Sequence, residues 1–236
     1  MLLDGLNLKI APGESVAIVG PSGCGKTTLI NMILGLIAPT GGQVLFGGHP
    51  IDHLGPAVVR RHIAAVTQDD ILFAGSIAEN IAAFDSAIDM SRVCRCAELA
   101  CVQEDIERMP MGYNTLVGDM GSSLSGGQKQ RIHIARALYR EPRVLFMDEA
   151  TSHLDVATET KVSRHIAALG ITRIIVAHRP QTIASADRVV GLERGRCIEQ
   201  ACALEPREVP RPSSTPAQWI QRFGERRTRE VVMPEP

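Results

Sequence analysis

The chain has 236 residues, 44% of them hydrophobic and 22% charged, and its formal net charge is −1. That length suits one large α/β domain or a domain with a subdomain, and near-neutrality excludes the bulk basic field that nucleic acid binding would call for. No apolar run reaches the roughly 18 residues of a membrane span, and no signal peptide follows Met1. The six cysteines, with no C-x-x-C and no histidine beside the 94–101 group, read as free thiols of a reducing cytosol rather than a zinc site.

In chain order, Leu6 to Ile10 alternates like a half-buried strand, Ala11 to Gly13 turns it, and Ser15 to Gly20 is a buried strand. A glycine-rich loop leads into an apolar helix, Thr27 to Leu36, closed by Pro39, Gly41 and Gly42. A hairpin is expected near 43–51 and another strand around Ile63 to Thr67. Residues 76–121 change character and read as a helical insertion. Ser76 and Glu79 form a plausible capping box, and Ser91 is expected to start a second helix there. Lys129 to Leu138 reads as a helix opened by Gly126 and Gly127. Glycine costs about 1 kcal/mol relative to alanine inside a helix, so something must come close to the backbone at that point.

The α/β alternation then returns. Residues 144–148 and 173–178 are buried strands of a parallel sheet, and the helix between them puts Val162, Ile166 and Leu169 on one face, with Gly170 as its stop. Residues 188–199 read as a hairpin turning at Arg194 and Gly195. From about Ala201 the pattern dissolves. Residues 206–236 hold six prolines and six arginines, and the segment reads as a mobile tail with a short helix around Trp219.

Gly20 to Thr27 ("GPSGCGKT") matches G-x-x-x-x-G-K-[ST], the phosphate-binding P-loop. Its amides point inward and a helix N-terminus caps it, so phosphate oxygens meet N–H groups and a positive dipole. Lys26 is expected to reach the β- and γ-phosphates, and the Thr27 hydroxyl to bind Mg²⁺. In "VLFMDE", four apolar residues precede two acids at the C-terminal end of a strand, where ligands bind in such sheets. Asp148 is expected to hold Mg²⁺, and Glu149 to polarise an attacking water. Taken alone, His178 and Gln68 are more often structural strand-end residues than ligands.

The series P-loop, Gln68, "LSGGQ", "VLFMDE", "SHLD", His178 resembles the nucleotide-binding domain of an ATP-binding cassette (ABC) transporter, over about Leu2 to Gln200. The resemblance implies a P-loop NTPase core with a mostly parallel sheet, a small antiparallel β subdomain, and a helical subdomain at about 76–140 that docks a transmembrane domain or subunit. It implies ATP and Mg²⁺ as ligands. Gly20, Pro21, Ser22, Gly23, Cys24 and Gly25 would form the cradle, and Lys26, Thr27 and Thr28 would open its helix. Thr27, Asp148 and Gln68 would serve the metal. Glu149, His178, Gln68 and Lys26 would carry catalysis. Ser125, Gly126, Gly127 and Gln128 would cap the γ-phosphate of a second copy's ATP in a head-to-tail dimer, and the glycines are needed because side chains would hold the phosphate off. Asp155 would link the two sites across that dimer. No nucleic acid partner is implied.

Thr115 to Gly121 resembles the T-x-V-G-E-x-G segment of exporters, with Asp119 in place of glutamate. His153 in "SHLD" and the wording around it resemble exporters of bacteriocin-type peptides that carry a leader peptidase. The implied place of action is the cytoplasmic face of the bacterial inner membrane. Two departures stand out. The strand that usually carries an adenine-stacking aromatic is expected before Leu2, so the chain reads as N-terminally truncated. The residues after Gln200 do not match the family's usual ending. Two rival readings follow: a soluble ABC ATPase of DNA repair or translation, and a remnant that binds nucleotide weakly without transport. The first needs long coiled-coil insertions or two cassettes, and neither is seen.

Overall fold

A computed structural model describes residues 3–67, 70–118, 124–148, 150–151, 153–177, 179–193 and 195–200. Its elements follow the expected alternation. β1 (Ser15–Val19) leads to α1 (Lys26–Ile33). The hairpin β2 (Leu45–Phe46) and β3 (His49–Pro50) precedes the short helices α2 (Ile51–Leu54) and α3 (Pro56–Arg60), then β4 (Ile63–Val66). The insertion holds β5 (Gly75–Ser76), α4 (Ile77–Ile81), α5 (Met90–Leu99), α6 (Gln103–Glu107) and β6 (Leu116–Val117). The chain closes with α7 (Gly126–Tyr139), β7 (Val144–Asp148), α8 (Val156–Ala168), β8 (Thr172–Val176), α9 (Pro180–Ala184), β9 (Arg188–Glu193) and β10 (Arg196–Gln200).

Six strands form one sheet in the order β10-β9-β1-β8-β7-β4, parallel throughout except for β10 at the edge. Both faces of this sheet are covered, so its strands are apolar at nearly every position. The side-chain period of two divides them. On β7, Leu145 and Met147 join the core shared with the helical insertion, while Phe146 joins the core shared with α1 and the β2–β3 hairpin. β8 divides likewise, Ile175 to one side and Ile174 and Val176 to the other. α7 is the spine of the first core: Ile132, Ile134 and Ala135 are fully buried against α4 and α5.

Local signals place most helix ends. Ser76 and Glu79 do form a capping box at α4. α5 starts one residue earlier than Ser91, because Asp89 accepts the Arg92 N–H and is the cap. In α8, Val162 and Ile166 are fully buried, but Leu169 is exposed: it is the C-cap, where the chain leaves the helix before Gly170. Leu36 and Ile37, beyond the end of α1 at Ile33, are also exposed. Leu6 to Ile10 keeps the alternating burial of a strand, yet no ladder forms on it among the described residues. Leu6, Leu8 and Ile10 pack on the α1 side of the core without a neighbouring strand to bond. The expected tail at 201–236, Arg194 and Asp119 lie outside the described residues.

Candidate phosphate-binding site

β1 ends in the loop of residues 20–25, and α1 begins at Lys26. Gly20 must be glycine because a Cβ would lie 2.4 Å from the Leu192 carbonyl oxygen on β9. Gly25, at φ 106°, is the N-cap of α1 and offers no side-chain cap. The first helical bond runs from Leu29 N–H to Gly25 O, at 2.9 Å. The amides of Lys26, Thr27 and Thr28 therefore precede the helical ladder, as the first turn of any helix requires. The Lys26 ammonium sits over the loop, donating to Gly20 O at 2.7 Å and Pro21 O at 2.9 Å. Turn amides, an open helix N-terminus and a cation make a fitting donor set for a triphosphate.

The sheet brings the ends of β7, β8 and β4 to the same edge. Ile18 pairs with Val176, and Val176 with Asp148, so β1, β8 and β7 end level. Val66 on β4 pairs with Met147, one step behind. Thr67, Asp148 and Ala177 thus stand at the C-terminal edge where β1 opens into the loop. Gln68, Glu149 and His178, each the next residue in the chain, lie outside the described residues. The Thr27 hydroxyl and Asp148 carboxylate are hard oxygen donors. Among the described residues no cluster of three or more His, Cys, Asp or Glu could cage a metal. That donor set suits Mg²⁺ held by one or two protein oxygens with phosphate, rather than a dedicated protein cage.

A second helix N-terminus is built differently. Ser125 Oγ accepts the Gln128 N–H at 3.2 Å, and Gln128 Oε1 accepts the Ser125 N–H at 3.0 Å, a complete capping box. Gly126 and Gly127 occupy the first two helical positions, and their amides stay outside that box. Beside them lies a concavity of about 470 Å³ lined by Ser125, Gly126, Gly127, Arg131, His153, Leu154, Asp155 and Thr158. None of residues 20–28 lines it, nor does Asp148. The structure therefore joins Asp155 to the "LSGGQ" glycines and leaves the P-loop elsewhere. Asp155 caps α8 by accepting the Thr158 N–H, and that bond holds its carboxyl below the usual range. The glycines also have a reason within the chain. A Cβ on Gly127 would lie 3.2 Å from His153 O, and one on Gly126 would touch the His153 ring at 3.5 Å.

Several residues that shape the site carried no local sequence signal. Arg136 on α7 donates to Asn80 O, Asn80 Oδ1 and Ile71 O, and lies over the Phe73 ring, tying α7 to the segment after Thr67. His133, one turn earlier, is buried, and burial with Arg136 beside it pushes its pKa down to about 4. Glu159 on α8 is buried too. It accepts from Thr151 at 3.0 Å and Thr182 at 2.5 Å, so one carboxylate fastens the chain just after β7 to α9, just after β8. Asp105 on α6 pairs with Arg131 on α7 at 2.7 Å. A fixed spacing or periodicity can betray none of these, because the partners come from different elements.

A model of the ABC transporter family matches residues 3–152. The probable microcin-H47 secretion/processing ATP-binding protein MchF of Escherichia coli is 52% identical over 81% of this chain and 27% of its own length. The colicin V secretion/processing ATP-binding protein CvaB of the same organism is 51% identical over the same shares. An ATP-dependent lipid A-core flippase of Cupriavidus metallidurans is 45% identical over 86% of the chain and 35% of its own length. The chain thus spans about a quarter to a third of these curated relatives. Among solved structures, a bacterial Atm1-family ABC exporter with ATP bound matches at a TM-score of 0.79 and 40% identity, over 85% of this chain and 36% of the exporter's chain.

Proposed function

The chain belongs to the ABC transporter family, and on that premise we propose that it is the nucleotide-binding domain of an exporter, spanning residues 1–200 with a helical subdomain at 76–140. It binds Mg·ATP at the P-loop, closes on a second copy head to tail, hydrolyses the nucleotide and reopens. The observation that carries this reading is the separation of two phosphate-ready helix N-termini. One, at Gly25–Thr28, is left without a side-chain cap; the other, at Ser125–Gln128, faces a different concavity. A single chain cannot use both on one triphosphate, whereas two chains placed head to tail can.

Within that site the residues divide the work. The loop amides of 20–25 and the first-turn amides hold the phosphates, and the Lys26 ammonium exchanges its carbonyl partners for phosphate oxygens. Thr27 and Asp148, with Gln68, hold Mg²⁺, which supplies charge neutralisation to the phosphates. Glu149 orients the attacking water and His178 contacts the γ-phosphate. Ser125, Gly126, Gly127 and Gln128 complete the partner's site, and Asp155 links the two. Catalysis is then positioning and charge stabilisation.

Among the described residues no helix is long and apolar enough to cross a membrane. From the family and the likeness to an exporter, the proposed partner is a transmembrane domain or subunit, docked on the helical subdomain at the cytoplasmic face of the bacterial inner membrane. The likeness to two "secretion/processing" proteins, with the resemblance to bacteriocin-type exporters read around His153, favours peptide cargo over lipid. The deciding experiment is Glu149→Gln. It should bind Mg·ATP, hardly turn over, and accumulate as an ATP-trapped dimer in size-exclusion chromatography with light scattering. A variant that binds ATP but stays monomeric at every concentration tried would overturn the head-to-tail reading. One that no longer binds would make Glu149 a structural residue.

A further inference from the structure

Ser125 faces the concavity, and it is held by Asp105 and Arg131, of which Arg131 lines the same concavity. The carboxylate of Asp105 on α6 spans two residues of the first turns of α7. Its Oδ2 accepts from Arg131 Nη1 at 2.7 Å and its Oδ1 from Gln128 Nε2 at 3.3 Å. The second contact decides how the Gln128 amide points. A carboxylate can only accept, so it takes the NH₂ end. That leaves Gln128 Oε1 for the Ser125 N–H, which is the bond the capping box needs. Arg131 is fastened further, Nε to Gly127 O at 3.2 Å and Nη1 to the carbonyl of Cys101, the residue closing the α5–α6 turn.

The charges carry a second consequence. A carboxylate near a helix N-terminus steadies the helix but opposes any other anion brought there. Here the anion to be received would be a phosphate. Arg131 cancels the Asp105 charge on the spot. The Arg131 side chain is 15% exposed and that of Asp105 28%, so solvent screens the pair only partly.

We infer that Asp105 and Arg131 are positioning residues for the phosphate-capping turn: Asp105 fixes the Gln128–Ser125 cap, and Arg131 neutralises Asp105 so that the turn can accept a phosphate. This rests on the nucleotide reading above for the anion, though not for the cap. The two roles predict unequal variants. Asp105→Asn keeps an acceptor for Gln128 and removes the charge, so it should form the ATP-trapped dimer as well as the parent. Arg131→Met leaves Asp105 charged beside the incoming phosphate and should weaken dimer formation about tenfold. Asp105→Asn added to Arg131→Met should bring it back to within about threefold. Asp105→Ala, which removes the acceptor as well, should raise amide exchange at Ser125–Gln128 about tenfold, with α5 and β7 unchanged.

The measurements are ATP-dependent dimerisation in the Glu149→Gln background and hydrogen–deuterium exchange of the same full-length variants. An ordinary structural ion pair would make the two single substitutions equally harmful and spread faster exchange over α5–α7. Either result overturns the inference, as does failure of the double variant to recover. If the Glu149→Gln parent itself does not dimerise with Mg·ATP, the nucleotide reading and the neutralising role of Arg131 fall together. The exchange comparison then decides the orienting role of Asp105 by itself.

Discussion

The N-termini of α1 and α7 are two answers to one problem. Both leave first-turn amides available for phosphate. At α1 no side chain caps the helix, the turn is made of small residues, and the nearby cation is Lys26, held by two carbonyls it can release. At α7 the cap is complete and is buttressed by Asp105 and Arg131, with two glycines keeping the approach clear. A site that must wrap a phosphate chain needs its donors uncommitted. A site that only meets the end of that chain, from another molecule, gains by being set in advance, since less ordering remains to be done on contact.

The largest effect expected from breaking this contrast is at Lys26. Lys26→Ala should lower ATP turnover by roughly 10²–10³-fold, because the releasable cation is the part of the α1 site that α7 lacks. The fold should hardly notice, since the substitution frees two carbonyls of a solvent-facing loop. A fall in the melting midpoint comparable to the loss of activity would show that Lys26 is a structural clamp instead.

Acid should separate the two helices next. His133 lies in the buried middle of α7, with Arg136, Lys129 and Asp70 as its charged neighbours, and its pKa is lowered from 6.5 to about 4. In that window the unfolded chain takes up a proton that the folded chain refuses. Stability is therefore fully kept above pH 6.5 and falls as pH drops towards about 4, by up to about 3 kcal/mol at 1.36 kcal/mol per pKa unit. His133→Gln should flatten that part of the curve. Denaturant melts at pH 7 and pH 5 test this, and exchange at pH 5 should show α7 loosening before α1. Identical pH profiles for the two proteins would remove His133 from the account.

The smallest effect has opposite signs in two assays. Gly126→Ala places a Cβ at ordinary contact distance from the His153 ring, and alanine is favoured over glycine in a helix by up to about 1 kcal/mol. The free chain should become slightly more stable while its ATPase activity falls, because the methyl group occupies the approach of the partner's phosphate. Gly127→Ala, only 3.2 Å from the His153 carbonyl, should lose both. If Gly126→Ala keeps full activity, nothing approaches that glycine from outside the chain.

What the sequence makes legible follows the range of the cause. The P-loop, the parallel strands and the start of α7 are written in runs of adjacent residues, and the structure agrees with them. So is the cap at Ser76. Where a partner from elsewhere decides, local reading errs. Leu6 to Ile10 alternates correctly but finds no strand to pair with, and Leu169 continues a stripe that the helix itself does not. Asp89 competes with Ser91 for the cap and wins because its carboxylate reaches the Arg92 amide. In the site, Ser125 and Asp155 were recognisable from their motifs, whereas Asp105 and Glu159 were not. Asp105 acts through residues 23 and 26 positions away and Glu159 through residues 8 and 23 positions away, and nothing in their own neighbourhoods distinguishes them from surface acids.

The strand order has a consequence for synthesis. β1, which opens into the phosphate loop, lies between β8 and β9, and the Gly13 amide bonds to Thr172 across 159 residues of chain. As the polypeptide leaves the ribosome, β1 emerges before β8 and β9 and has neither neighbour until those two strands follow it. The insertion and α7 contact one another across 23 to 56 residues, far less than the 159 that separate Gly13 from Thr172, and can condense while β1 waits, since nearer contacts cost less chain entropy than more distant ones. The loop after β1 is thus made well before the strands that fix it in place. A chain that still lacks β8 and β9 therefore holds the letters of the P-loop without the strands that fix its cradle.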